Sequence, residues 1–201
     1  MPSFIAKCTP SLGVVSQFWS RCTESVAWPM GLGKMMLYRR DKNGGEIAEV
    51  RNHIVADALE YDRTCNPITH LFWVDDDVLI LAGSVKELLA LKADIASGTY
   101  FLKEEGNPQP LIWPKDFSDG PMLPFVPDKV LPIRFCGMGL TLIRLNVYKM
   151  MAAQLGDELS KDKYGHMQFY KTDKVGSIGS NNVASIGHTE DWWFFKHAAM
   201  I

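Results

Sequence analysis

Residues 70–80 read HLFWVDDDVLI, an apolar run followed by three consecutive aspartates and a second apolar run. The aromatic and β-branched residues of the first run are typical of a buried strand. Three ionised carboxylates cannot share that burial, because each costs several kcal/mol to remove from water without a compensating charge. We therefore expect the aspartates at the carboxyl end of a sheet strand, beside the cleft in which open α/β sheets bind ligands.

Two of these aspartates form a candidate cation site. Alternate side chains of an extended segment point to the same side, so Asp75 and Asp77 would share one face and Asp76 would face away. Paired carboxylate oxygens suit Mg²⁺ or Mn²⁺, the ions that hold diphosphates. The competing interpretation is a solvated acidic turn.

Composition limits the class of protein. The chain has 201 residues, 47% of them hydrophobic, and a formal net charge of −2, which predicts a single domain with a full core. The near-neutral charge argues against duplex nucleic-acid binding through phosphate contacts alone. The sequence contains neither a membrane-spanning apolar run nor the layout of a signal peptide, and its four scattered cysteines are expected to be reduced. Together these features predict a cytoplasmic protein.

Strand-like and helix-like segments alternate along the chain. This pattern predicts an α/β fold with a mostly parallel central sheet flanked by helices. Strands are predicted at 4–8, 35–39, 70–74, 94–101 and 134–144, and helices at 14–27, 46–61, 84–92, 146–155 and 189–199. Seven prolines between 102 and 133 exclude helices and central strands from that stretch, which is expected to cross one face as a functional loop.

Several further positions are candidates for ligand contact. Turn-forming residues after the first strand, Thr9 to Gly13, suit a loop where a ligand approaches the backbone. Arg51 and Asn52, side by side on a helix, can serve an anion and its neighbouring hydroxyls, although an exposed helical arginine needs no such role. Gly137 and Gly139 indicate close approach of the backbone to a neighbour or a ligand.

The last predicted helix carries two acids in its first turn. Thr189 is a natural N-cap, and the helix dipole favours Glu190 and Asp191 at that position. The functional interpretation makes one of these carboxylates a general base that faces a cleft and accepts a proton from an incoming hydroxyl. The residues alone leave both interpretations open.

The order of these motifs resembles that of the GT-A-fold glycosyltransferases, of the family 2-like kind common in bacteria and their phages. Thr-Pro-x-x-Gly, Arg-Asn, Asp-x-Asp, Ser-Gly-x-Tyr-Phe, Gly-x-Gly-x-x-Leu-Ile-Arg and Glu-Asp follow one another over roughly residues 4 to 197. The resemblance implies a GT-A architecture and a metal-dependent, inverting hexosyl transfer from a nucleotide-diphosphate sugar, UDP-sugar by default. The acceptor would be a saccharide, a lipid-linked sugar, a protein or a modified nucleic-acid base.

The resemblance also implies roles for individual residues. Asp77 would contact Mn²⁺ or Mg²⁺, Asp75 would lie near the donor ribose or the metal, and Asp191 would be the base with Glu190 beside it. Asp76 remains a candidate, because the triple aspartate allows a shift of one position. The remaining donor contacts would be Thr9 and Pro10 at the nucleotide base, Arg51 and Asn52 at the donor, and Gly137 and Gly139 under the sugar.

Two departures from the family pattern stand out. The family often supplies a further metal-ligating histidine on a later strand, for which this chain offers only His188 and His197, each more readily explained as a satisfied or exposed side chain. The sequence ends soon after the Glu-Asp helix, which predicts a truncated or minimal catalytic domain. The loop at 102–133 or the segment 156–187 would close over the site.

Two other functions are weighed against this one. A sugar-phosphate nucleotidyltransferase also uses paired aspartates and Mg²⁺, but normally has a glycine-rich loop with a lysine or arginine after the first strand. Residues 9–13 contain a single glycine and no lysine. The third possibility is a catalytically silent module that binds a nucleotide sugar without turnover.

Overall fold

The structure of the protein is a computed structural model that describes residues 4–11, 17–24, 33–40, 46–65, 67–101, 106, 108–114, 127–172 and 189–201. The helices among them are α1 (Gln17–Glu24), α2 (Ile47–Thr64), α3 (Ser84–Ala90), α4 (Leu145–Gln154) and α5 (Glu190–Ala198). The strands are β1 (Phe4–Ser11), β2 (Gly33–Arg40), β3 (His70–Val74), β4 (Ile95–Ser97), β5 (Ile112–Trp113), β6 (Phe135–Cys136) and β7 (Leu140–Arg144).

The main sheet is mixed. Its five strands lie in the order β2-β1-β3-β7-β4, where β1 is parallel to β2 and β3, and β7 is antiparallel to β3 and β4. The predicted α/β class is confirmed, but the prediction of a mostly parallel sheet is wrong, because half of the strand pairings are antiparallel. The chain enters β7 at the end of β3, where the Asp75 amide donates to the Gly139 carbonyl at 3.1 Å, so β7 must run back along β3.

The first strand is longer than predicted. It continues to Ser11, so Thr9 and Pro10 lie in β1 and not in a loop. A proline is tolerated there because the pairing of β1 with β3 ends at Cys8, and beyond that point β1 is flanked on one side only, by β2. The predicted loop residues 12 and 13 lie outside the described part of the chain.

Alternate residues of β3 divide the core into two layers. Leu71 and Trp73 belong to the cluster that packs under α2, α4 and α5, whereas Phe72 and Val74 belong to the cluster under α1 and α3. All four side chains are 0% exposed, which explains why this strand is continuously apolar. The aspartates that follow are therefore the first residues of this segment to leave the core.

The proline-rich stretch contributes no strand to the main sheet within its described parts. Ile112–Trp113 instead pairs antiparallel with Phe135–Cys136 in a separate two-stranded sheet, as the prolines predict. The rest of this predicted loop, 102–105, 107 and 115–126, and the predicted lid residues 173–187 lie outside the described residues. No helix in the described ranges combines the length and the apolar character needed to cross a bilayer.

Candidate active site

The predicted site residues converge on one edge of the main sheet. The parallel strands β1, β2 and β3 end at this edge, and β7 begins there, with Leu140 opposite Val74. The first turn of α5 reaches the same edge, because the Asp191 carboxylate accepts a hydrogen bond from the Met138 amide at 3.0 Å. Ligands of open α/β sheets bind at the carboxyl ends of the strands.

The three aspartates form a turn. The strand ends at Val74, and the Val78 amide donates to the Asp75 carbonyl at 3.2 Å. The prediction that Asp75 and Asp77 share one face of extended backbone is therefore wrong, because the backbone reverses at these residues. Asp77 is exposed, and Asp75 is held from the other side of the sheet by the indole of Trp19, which donates to its carbonyl at 2.9 Å.

A buried arginine lies at the centre of the acidic residues. Arg51 is 2% exposed and donates from Nη2 to both carboxylate oxygens of Asp75, at 2.9 and 3.1 Å. Glu190 and Asp191 lie 3.8 and 3.9 Å from its guanidinium nitrogens. Burial opposes the charge of Arg51, but Asp75 first, and then Asp191 and Glu190, raise its pKa above the ordinary value. We call these four residues the arginine site.

Two aromatic rings enclose the guanidinium. Its central carbon lies 5.4 Å from the centre of the Trp73 ring and 5.9 Å from that of Tyr170, within the range of a cation–π contact. The rings shield Arg51 from water and leave carboxylates as its charged neighbours. The alternative of an exposed helical arginine is thus excluded for Arg51.

Among the carboxylates of the arginine site, Asp191 has the most strongly shifted pKa. Its side chain is 21% exposed; Oδ2 accepts from Met138, and Oδ1 is buried with no hydrogen-bond partner in the described part of the chain. Burial raises the pKa of Asp191 to about 7, with Glu190 and Asp75 adding to the effect and Arg51 opposing it. A carboxyl group with a pKa near neutrality is suited to exchange protons at physiological pH.

Both candidate glycines are required by packing. A Cβ on Gly137 would overlap the hydroxyl of Tyr100, and a Cβ on Gly139 would lie 3.0 Å from the Asp75 carboxylate and 2.9 Å from Val78. The Gly139 amide donates to the Tyr100 hydroxyl at 2.9 Å. The predicted close approach is confirmed, and the neighbour is Tyr100.

Asn52 has a structural role in the described contacts. It is 2% exposed; its amide nitrogen donates to the Tyr170 carbonyl at 2.8 Å, and its oxygen accepts from the Tyr170 amide at 2.9 Å. These two hydrogen bonds attach the backbone of Tyr170 to α2, next to Arg51. Thr9, near the end of β1, is 2% exposed, and its hydroxyl has no hydrogen-bond partner within the described ranges.

The last helix, α5, begins with the N-cap that the sequence predicts. Thr189 accepts a hydrogen bond from the Trp192 amide at 3.5 Å and is the N-cap of α5. His197 is 5% exposed, and its Nδ1 lies 2.8 Å from the Trp193 carbonyl one turn earlier, so it is a satisfied helical histidine. His188 lies outside the described residues.

Sequence reasoning missed three contributors to this site. The Trp19 indole donates to the Asp75 carbonyl, and the Met138 amide donates to the Asp191 carboxylate. No local sequence pattern predicts either contact. Tyr100 was visible only as part of a strand motif. Its raised pKa, caused by burial and by the nearby Asp191 and Asp75 carboxylates, keeps the hydroxyl protonated and able to donate.

The acidic turn, Asp75 to Asp77, offers donor atoms of the kind that a hard divalent cation binds. Its side chains offer carboxylate oxygens, which Mg²⁺ and Mn²⁺ prefer. A carboxylate has about four lone-pair positions, so Asp75 retains acceptor capacity after bonding Arg51. Asp77, which is exposed, provides a position where a cation could keep part of its water. By the type of their donor atoms, these residues therefore suit such an ion.

Comparison with known proteins yields a fold relationship. No protein-family model matches the chain, and no curated protein matches it in sequence. The crystal structure of A197 from STIV superposes with a TM-score of 0.50 at 17% identity, covering 99% of this chain and 78% of that chain. The crystal structure of a glycosyltransferase involved in the glycosylation of the major capsid of PBCV-1 has a TM-score of 0.30 at 11% identity, covering 76% and 66%. The first similarity shows a related fold, and the second carries no conclusion.

Proposed function

We propose that the chain is a metal-dependent glycosyltransferase that moves a sugar from a nucleotide-diphosphate sugar, UDP-sugar by default, to an acceptor hydroxyl with inversion. The observation that carries the proposal is the Asp191 carboxyl. It is partly exposed at the ligand-binding edge of the sheet, near the acidic turn, with its pKa raised to about 7. The motif order that resembles GT-A-fold glycosyltransferases supports the same reading.

Asp191 would act as the general base. Its carboxylate removes the proton from the acceptor hydroxyl while the acceptor oxygen bonds to the anomeric carbon of the sugar. The bond between that carbon and the diphosphate oxygen breaks, and its electron pair leaves with the diphosphate. A pKa of about 7 leaves a substantial ionised fraction at neutral pH and a strong enough base to accept the proton. A single displacement from the opposite face inverts the anomeric carbon.

The donor would lie across the ends of β1 and β3. Thr9 and Pro10 would contact the nucleotide base, and the buried Thr9 hydroxyl supports this, because it is a polar group without a hydrogen-bond partner in the described chain. Gly137 and Gly139 would pass under the sugar. A divalent ion held by Asp77 with Asp75 would act as a Lewis acid that neutralises the leaving diphosphate.

A catalytically silent binding module is favoured by one observation. Asp191 also ties α5 to the Met138 amide and lies 3.9 Å from Arg51, which gives it a structural function without chemistry. Such a module would keep the donor pocket and need no base. The nucleotidyltransferase alternative is supported by no contact within the described ranges.

A turnover assay with Asp191→Asn separates these functions. We expect the wild-type chain to hydrolyse or transfer at least one sugar in a panel of nucleotide sugars with Mn²⁺. Asp191→Asn, which can still accept from Met138, should retain donor affinity and lose about 10²- to 10⁴-fold in turnover. Asp157→Asn, a change at an exposed aspartate outside the site, is the matched control. Donor binding without turnover in the wild type, or full turnover in Asp191→Asn, would refute the assignment.

The cation site is tested by Asp77→Asn. Removing the anionic ligand should abolish the Mn²⁺-dependent part of UDP binding measured by calorimetry. Metal-independent binding should change little, because the proposed contacts of Thr9 and Pro10 with the nucleotide base stay intact. Undiminished Mn²⁺-dependent affinity in this variant would remove Asp77 from the ligand set.

A further inference from the structure

A second group of chemically active side chains lies beside α2, apart from the arginine site. His53 follows Arg51 and Asn52 on this helix, and Asp162 and His166 belong to a loop that packs against it. The Asp162 Oδ2 atom lies 3.5 Å from His53 Nε2 and 3.5 Å from His166 Nδ1. All three ligating atoms lie within 4.8 Å of one another. We call this group the histidine cluster.

The loop fixes the direction of the Asp162 carboxylate. Its Oδ1 atom accepts from the amides of Tyr164 and His166, both at 2.8 Å. The Asp162 amide donates to the His166 carbonyl at 2.8 Å, and Gly165, with φ +83°, allows the tight return. One carboxylate oxygen is thus used by the loop, and the other is turned towards the two imidazoles.

The arrangement leaves buried polar atoms unsatisfied. The Asp162 side chain is 8% exposed, and neither its Oδ2 nor His166 Nδ1 has a hydrogen-bond partner among the described residues. A buried polar oxygen without a hydrogen bond is costly unless a donor or a cation binds it.

We propose that His53, Asp162 and His166 bind a divalent transition-metal ion of the zinc class. Bond lengths near 2.1 Å in a tetrahedral site separate ligand atoms by about 3.3–3.5 Å, which matches the two distances of 3.5 Å from Asp162 Oδ2. Two imidazoles disfavour Mg²⁺ and Ca²⁺, which prefer oxygen donors. His166 is 34% exposed, so the cluster lies close to the protein surface, which an entering ion must cross.

An ion at this position would anchor the loop to α2. Lys163 already pairs with Glu49 of the same helix at 3.3 Å, and Asn52 holds the backbone of Tyr170 farther along the segment. The Tyr170 ring packs against Arg51. The site would therefore be structural and would support one wall of the arginine site, whatever reaction occurs there.

Metal binding to the intact chain tests the proposal. After treatment with a chelator, the protein is titrated with Zn²⁺ and with Co²⁺, and stoichiometry is measured by elemental analysis and by the visible absorption of Co²⁺. We expect one tightly bound ion per chain at the histidine cluster and a rise in Tm on Zn²⁺ addition. Asp162→Asn keeps an Oδ1 acceptor for the two loop amides but removes the anion. It should weaken binding by at least about 100-fold, beyond the usual effect of outer-sphere changes, and Asp157→Asn should not.

Two further variants make the result decisive. His166→Gln removes an imidazole without touching Asp162 and should cause a similar loss, which covers the case in which Asp162→Asn fails to fold. Asp77→Asn should leave Zn²⁺ affinity unchanged, so failure of the proposed transferase and failure of this site are distinguishable. Absence of stoichiometric Zn²⁺ and Co²⁺ binding, or equal affinity in wild type and Asp162→Asn, would overturn the proposal.

Discussion

The arginine site and the histidine cluster lie on the same helix and balance charge in different ways. In the arginine site the cation is part of the chain, since Arg51 stays protonated and lies among three carboxylates. In the histidine cluster one carboxylate faces two imidazoles. The contrast shows how two residues of one helix, two positions apart, can belong to one site that carries its own counter-charge and to another that is suited to acquire one.

The largest expected difference is in stability. Arg51→Ala leaves Asp75, Glu190 and Asp191 without their buried counter-charge, and we expect the free energy of unfolding to fall by about 3–5 kcal/mol. His166→Ala in chelator-treated protein should change it by less than about 1 kcal/mol, since the side chain is 34% exposed. Urea denaturation measures both. An equal loss in the free energy of unfolding for Arg51→Ala and His166→Ala would contradict the proposed difference between the two sites.

Backbone packing gives a smaller difference. Gly137→Ala drives a Cβ into the Tyr100 hydroxyl and should cost about 1–3 kcal/mol, with Gly137→Asn costing more. Gly165, in the histidine cluster loop, has open space around it and a φ of +83°. There Gly165→Asn should cost less than Gly165→Ala, because asparagine tolerates positive φ better. The opposite order of Ala and Asn at either position, in the same denaturation assay, would show that its glycine is required for another reason.

A further expected effect is a dependence of stability on pH that belongs to the arginine site. The pKa of Asp191 is raised from 3.8 to about 7, so between these values the folded state binds more protons than the unfolded state. Its contribution to stability is therefore full below about pH 4 and is lost as the pH rises through 7. Asp191→Asn should raise Tm relative to wild type at pH 8, with the gain shrinking towards pH 4. Asp157→Asn should show no such trend, and a gain independent of pH would contradict the raised pKa.

The sequence predicted much of the arginine site because its residues stand where polar groups interrupt apolar patterns. Asp75 follows a buried strand, Arg51 lies on an otherwise regular helix, and Asp191 follows an N-cap. The strand directions were harder to predict from the sequence. Periodicity indicates that residues 140–144 form a strand, but it does not show in which direction that strand runs beside β3. The end of this strand at Val74 was predicted correctly. Whether the aspartates continue as extended backbone or form a turn was left open, because apolar residues lie on both sides of them.

The histidine cluster was not predicted at all. Its members are 109 positions apart, from His53 to Asp162, and they meet only through tertiary packing of the loop on α2. The local signal was Asp162 followed four residues later by His166, within a polar segment that lacks helical periodicity. Such a pair is common on protein surfaces, so only the fold could distinguish it.

The two hydrogen bonds of the Asn52 side-chain amide link the two sites. They attach the backbone at Tyr170 to α2 between the residue that holds Asp75 and the residue that faces Asp162. The arginine site and the histidine cluster are therefore joined through one continuous 18-residue helix and through the Tyr170 backbone that Asn52 holds against it.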